Sequence, residues 1–192
     1  MEEATIVEIN YGPLKELIGV WKGDKGMDIS PESDGIEENP YYETITITTD
    51  GDASVTNAES QKLSTLHYRR LVRRKSNNGI FHDQTGYWMW DEKNNVIMHS
   101  LNIPRAVSLL AGTALTEENF KGGKLSFEIE AGIDNKDWGI IQSPFMKEKA
   151  LTKNYKQKIE IKDGKLKYEE TTMLDIYGKE FEHTDKNELV LQ

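Results

Sequence analysis

The chain has 192 residues, 36% hydrophobic and 30% charged, enough for one domain (1–192) with a proper core. Thirty-three acids against twenty-four bases give a formal net charge of -9, which favours solubility and works against sequence-independent binding to nucleic acid. The absence of cysteine excludes disulfides, thiolate metal sites and cysteine nucleophiles.

The N-terminus, MEEATIVEIN, lacks the basic-then-apolar pattern of a secretory signal. The longest apolar run, AVSLLAGTAL, is too short to span a membrane as a helix. These features lead us to expect a cytoplasmic protein whose partner is a small molecule rather than nucleic acid or membrane. A homodimer is compatible with them.

In chain order, GPLKELIGVWKGDKG starts as a short helix, with Pro13 in its first turn and Leu14, Leu17 and Ile18 at helical spacing before Gly19. DISPESDGIEENP reads as a long acidic surface loop. Strands follow: YYETITITTD alternates at period two, then DGDAS turns. LSTLHYRRLVRR precedes the turn KSNNG, IFHDQTGYWMW the turn DEKNN, and VIMHSLNI ends at Pro104. KLSFEIEAGI, KNYKQKIEI, KLKYEETTML and the stretch from FEHT to LVLQ complete the series, with KDG and YGK as hairpin turns. Roughly eight to ten strands without a crossover helix point to an all-β antiparallel up-and-down barrel, with the opening helix plugging or capping one end.

Four histidines are present: His67, His82, His99 and His183. Each alone reads as structural or solvent-facing, and no pair has chelate spacing, so a protein-only zinc site has little support. In HYRRLVRRK, period two puts Tyr68, Arg70, Val72 and Arg74 on one face and His67, Arg69, Leu71 and Arg73 on the other. At least one arginine therefore points inward, where it needs an acid partner or an anionic ligand. The aromatics Trp21, Trp88, Trp90, Trp138, Tyr68, Tyr87 and Phe81 read as core that lines the barrel. Neither a phosphate-binding glycine loop nor a nucleophile elbow is present.

LIGVWKGDKG resembles the start of the nitrobindin-like haem-binding barrels, relatives in shape of lipocalins and fatty-acid-binding proteins. Gly19, Trp21 and Gly23 match that family's G-x-W-x-G-x-G motif, while Lys25 stands in the place of the last glycine and Gly26 follows one residue late. FHDQTGYWMW is similar to the family's strand with a histidine four residues before a glycine–aromatic pair, here His82, Gly86 and Tyr87. YKQKIEIKDGKLKYEETTML is similar to its penultimate hairpin, after which a histidine opens the last strand, and His183 falls there. The segment from SLNIPRAVSLLAG to QSPFMKEKALT differs from the family, as does the polar Thr184–Asn187 after the histidine.

The resemblance implies a lipocalin-like barrel of about ten strands holding haem b through His183 as the axial metal ligand. It implies His82, Gly19, Trp21 and Gly23 as further cofactor-binding residues, with His82 on the distal side or near the porphyrin edge. Reversible nitric oxide binding and conversion of peroxynitrite to nitrate are the implied activities, which would make the protein an isomerase. The alternative is a non-haem carrier for a small apolar or anionic ligand, in which Arg70 or Arg74 with Tyr68 grips a carboxylate inside the barrel.

Overall fold

A computed structural model describes residues 9–49, 54–57 and 61–192. The expected opening helix is a single 3-10 segment, Gly12–Leu17, with Pro13 in its first turn. Twelve strands follow among the described residues: β1 (Gly19–Pro31), β2 (Ile36–Thr48), β3 (Ser54–Asn57), β4 (Gln61–Arg74), β5 (Ile80–Asp91), β6 (Val96–Ile103), β7 (Val107–Ala114), β8 (Leu125–Gly132), β9 (Ile140–Gln142), β10 (Ala150–Lys162), β11 (Lys165–Ile176) and β12 (Lys179–Leu191).

Antiparallel pairing runs in the order β2, β1, β12, β11, β10, β8, β7, β6, β5, β4, and β2 pairs with β4 to close the ring. This is the up-and-down barrel of ten strands that the sequence leads one to expect. β3 extends along β4, and β9 pairs with β7 where β8 touches β7 only around Gly112. Two of the turns follow directly from sequence. Asp163–Gly164 and Tyr177–Gly178 carry positive φ at both central positions, the backbone that a tight hairpin of right-twisted strands requires.

Two ring strands, β1 and β7, lie outside the strands expected from sequence. β1 is rich in glycine and charge and has a register shift between Gly23 and Gly26, so its alternation is broken. β7 is a short apolar run that carries no period-two signal. DISPESDGIEENP is not a loop: β1 and β2 pair along it up to Pro31 and Ile36, leaving a turn at Glu32–Gly35. Its polar residues serve the ladder, for Asn39 Nδ2 bonds Asp28 (3.2 Å) and Glu37 (3.0 Å). The turn expected over 50–54 lies, apart from Ser54, outside the described residues. A 3-10 segment (Glu117–Gly123) and a one-turn-and-a-half helix, α1 (Pro144–Lys149), occupy the divergent middle of the chain. No helix among the described residues is long and apolar enough to cross a membrane.

The two barrel ends differ. At one, Leu14 and Leu17 of the 3-10 segment are buried with Trp21, Leu66, Trp88, Trp90 and Ile97. Trp21 Nε1–H donates to the Leu17 carbonyl at 2.8 Å, and the Trp90 ring lies against Gly12. This end is plugged. β5 runs from Trp90 back to Phe81 and His82, and β1 from Trp21 forward to Asp28, so these three residues lie toward the opposite end. Two expected core aromatics are not fully buried: Tyr87 is half exposed, and Trp138, against Gly112 of β7, is only partly buried where it packs on the core.

Candidate functional site

The end away from the plug holds a cavity of about 420 Å³, within the usual range of roughly 300–1,000 Å³ for small-molecule sites. Leu101, Ile103, Val107 and Leu109 of β6 and β7 give it an apolar wall, extended by Leu174 and Ile176. Facing them are polar residues of β1, β11 and β12: Asp28, Glu170, Thr172 and His183. Thr172 and His183 are directly paired across β11 and β12, as are Glu170 and Asp185.

His183 is therefore on the cavity wall, with its side chain 31% exposed. Its Nε2 is bonded to Asp28 Oδ1 at 2.6 Å, and Asn39 holds the other oxygen of that carboxylate. Burial pulls the imidazole pKa down, but the bond to Asp28 and its charge, backed by Glu170 and Asp185, leave it raised. For Asp28, burial is outweighed by the bond and charge of His183, and its pKa is lowered. Asp28→Asn is expected to lower the His183 pKa, read as the pH midpoint of its ring proton signal in NMR. An unmoved midpoint would show that Asp28 does not control it.

Below the cavity floor Arg70 is sealed among acids. Its Nε pairs with Glu43 at 2.6 Å, Nη1 with Glu170 at 3.2 Å and Nη2 with Asp185 at 2.6 Å. Tyr168 Oη accepts from Arg70 Nη2 at 2.5 Å and donates to Glu43 at 2.9 Å, while Tyr41 Oη bonds Asp185. Three carboxylates face one guanidinium. Burial pushes Glu43 and Glu170 above the ordinary carboxylate range, with Arg70 opposing it, so these two carboxyls tend to retain protons.

Of the residues expected to grip a ligand carboxylate (Arg70 or Arg74 with Tyr68), Arg70 and Tyr68 have their polar groups engaged within the protein. Every guanidinium nitrogen is already engaged, and the Tyr68 hydroxyl accepts from Gln84 (2.7 Å) and donates to the Ser100 carbonyl (3.3 Å). Arg74 does line the cavity, over the Phe81 ring at 4.4 Å with its Nε on Asn39, and Arg105 joins it from the β6–β7 turn. His82 is there too, bonded to Gln84 at 2.9 Å, and burial with the nearby Arg70 charge brings its pKa down to about 4. A register shift between Val72 and Arg73 breaks the alternation, so both Phe81 and His82 reach the cavity. Gly19, Trp21 and Gly23 do not line it. They serve the plugged end, where Gly19 has φ +132° and a Cβ on Gly23 would strike the Glu188 carbonyl.

Residues 10–190 match the family model described as "THAP4-like, heme-binding beta-barrel domain". The chain belongs to this family. The nitrobindin-like resemblance read from the sequence is thereby borne out, and the family is one of haem-binding barrels. No curated protein matches the chain. Among solved structures, the crystal structure of Rv2717c from M. tuberculosis is similar in fold, with a TM-score of 0.70 at 16% identity over 95% of this chain and 99% of that one.

In this member of the THAP4-like family, sequence reasoning missed Asp28, Glu43, Glu170 and Asp185. A signal existed. Leu166, Tyr168, Glu170 and Thr172 share one face of β11, and His183, Asp185, Asn187 and Leu189 one face of β12. Acids in step with apolar residues on a strand are inward-facing acids.

Proposed function

We propose that this barrel binds haem b in the open cavity, with His183 as the protein ligand to iron. The observation that carries the reading is the part-exposed imidazole of His183, on the polar wall of a cavity whose opposite side is apolar. The donor set suits the group. Among the described residues no cluster of three or more His, Asp or Glu side chains could hold a bare metal ion. Haem brings four nitrogens of its own and needs one imidazole. Asp28 engages Nε2, so the ligating nitrogen is either Nδ1 or Nε2 after displacement of the carboxylate. With Nδ1 as the ligating nitrogen, Asp28 on Nε2 is a carboxylate of the kind that orients metal-bound histidines, whereas ligation through Nε2 would give up that bond.

When bound, haem would supply an iron that can take a small ligand such as nitric oxide or peroxynitrite, and would make isomerisation of peroxynitrite to nitrate the activity to test. The chain's own residues shape what surrounds it. Arg74 and Arg105 offer guanidinium groups to propionates. His82, with its pKa brought down to about 4, is neutral at physiological pH and adds no charge of its own to the cavity.

The test is a hemin titration followed in the visible spectrum. Wild type is expected to give a sharp Soret band, and His183→Ala to abolish it. Free-hemin absorbance from wild type, or a band indifferent to the substitution, would sink the proposal. Arg74→Ala and Arg105→Ala are each expected to weaken hemin binding by a fewfold, corresponding to about 0.2–1 kcal/mol for a partly exposed ion pair. Neither should affect hemin dimethyl ester, whose carboxylates are masked; equal losses for both compounds would rule out a propionate role.

A further inference from the structure

Between the open cavity and the plug is a second, far smaller chamber of about 30 Å³, lined by apolar residues such as Leu17, Ile47 and Leu166 together with His99 and Gln157. His99 is 1% exposed and stacked on Trp88, with ring centroids 3.9 Å apart and planes within 5° of parallel. Tyr68 packs against the same imidazole at 4.8 Å. The stack fixes the ring's plane but satisfies none of its polar atoms. Neither ring nitrogen has a hydrogen-bond partner among the described residues.

Gln157, also buried, donates its Nε2–H to Glu170 at 3.0 Å, while its Oε1 has no partner. The other polar groups around the chamber are committed. Tyr68 is held by Gln84 and Ser100, and Arg70 by its three carboxylates, its Nε lying 2.6 Å from Glu43 as an ion pair outside hydrogen-bond geometry. Three unpartnered atoms, the two His99 nitrogens and Gln157 Oε1, thus belong to side chains that line one small space, and the His99 N–H and the Gln157 oxygen are complementary. Burial and the Arg70 charge bring the His99 pKa down to about 3, so its ring is neutral and carries one N–H donor and one acceptor. Gln157 Oε1 is an acceptor only.

We propose that this chamber is a binding site for a single water molecule, which accepts a hydrogen bond from His99 and donates one to Gln157. Size and polarity select the guest. A buried water needs roughly 10–15 Å³ of accessible space and at least two polar partners, and the chamber meets both conditions while excluding anything much larger. An apolar gas atom would fit but would leave both orphaned groups unpaired, which buried polar groups rarely tolerate.

Gln84 belongs to the walls of both cavities, with its Oε1 on His82 and its Nε2 on Tyr68. It is the side chain that stands between the open cavity and the chamber. The inference stands apart from the haem reading, since it concerns neither His183 nor the contents of the outer cavity.

Two measurements on the ligand-free chain decide it. A crystal structure of wild type is expected to show one solvent peak within hydrogen-bond distance of both His99 and Gln157, and crystals pressurised with xenon are expected to bind none in the chamber. In solution, oxygen-17 relaxation dispersion is expected to count one fewer long-lived water in His99→Phe, which keeps a ring on Trp88 but removes both nitrogens. A dry chamber, a xenon atom in it, or equal water counts would overturn the proposal. Should His99→Phe fail to fold, the wild-type crystals alone distinguish a hydrated chamber from a dry one.

Discussion

Arg70→Met is expected to cost about 3–5 kcal/mol of stability at neutral pH, the usual result of removing one partner from a buried ion pair. Part of that loss should return as the pH is lowered toward about 5. Arg70 is 2% exposed and is the guanidinium that faces Glu43, Glu170 and Asp185 together. Burial already raises the Glu43 and Glu170 pKa values, and Arg70 is the strongest opposing influence on both. Without it they rise further.

A carboxyl whose folded pKa lies above its unfolded value of roughly 4.3 binds more protons folded than unfolded, so stability falls as pH rises through that interval. The variant should therefore regain stability on the acid side relative to wild type. Urea midpoints for both proteins at the two pH values measure it. A difference that does not change with pH would mean that water, not protons, compensates the stranded carboxylates. Arg70→Lys is expected to fall between the two, because an ammonium keeps the charge but cannot fork toward three acids at once.

The need for that cluster was legible in one strand and its membership was not. Period two in HYRRLVRRK requires an inward arginine, and Arg70 is inward. Its partners lie on β2, β11 and β12, about a hundred residues away in two of three cases (100 and 115 positions), and strand register across such distances is not written in any local pattern. The same holds for His183, whose partner Asp28 is 155 positions away. The tight turns at Asp163–Gly164 and Tyr177–Gly178 were legible because positive φ at two successive residues leaves a local signature. β7 was not, since a short apolar run without alternation reads equally as buried strand or insertion.

β1 shows why a departure from a motif can conserve a fold. Lys25 occupies the place of the motif's last glycine, and Gly26 comes one residue later. Pairing with β2 shifts register between Gly23 and Gly26, and pairing with β12 between Lys22 and Met27, so the extra residue is absorbed as a bulge. Gly26 is thereby delivered to the Tyr41 ring, where an added Cβ would come within 1.9 Å of a ring carbon. That ring cannot swing aside freely. Tyr41 is fully buried, and its hydroxyl is tied to Tyr168 at 2.6 Å and to Asp185. Gly26→Ala must therefore move the strand or pull the phenol out of the Arg70 cluster, and is expected to cost about 1–3 kcal/mol, as overpacking does elsewhere. Gly35→Ala, in the β1–β2 turn with nothing within 4 Å of the new methyl, supplies the comparison and should be near neutral. Urea denaturation of the two variants measures the gap. Equal stability would show that β1 slides past Tyr41 without resistance, and that the late glycine is an accident of sequence rather than the residue the bulge requires.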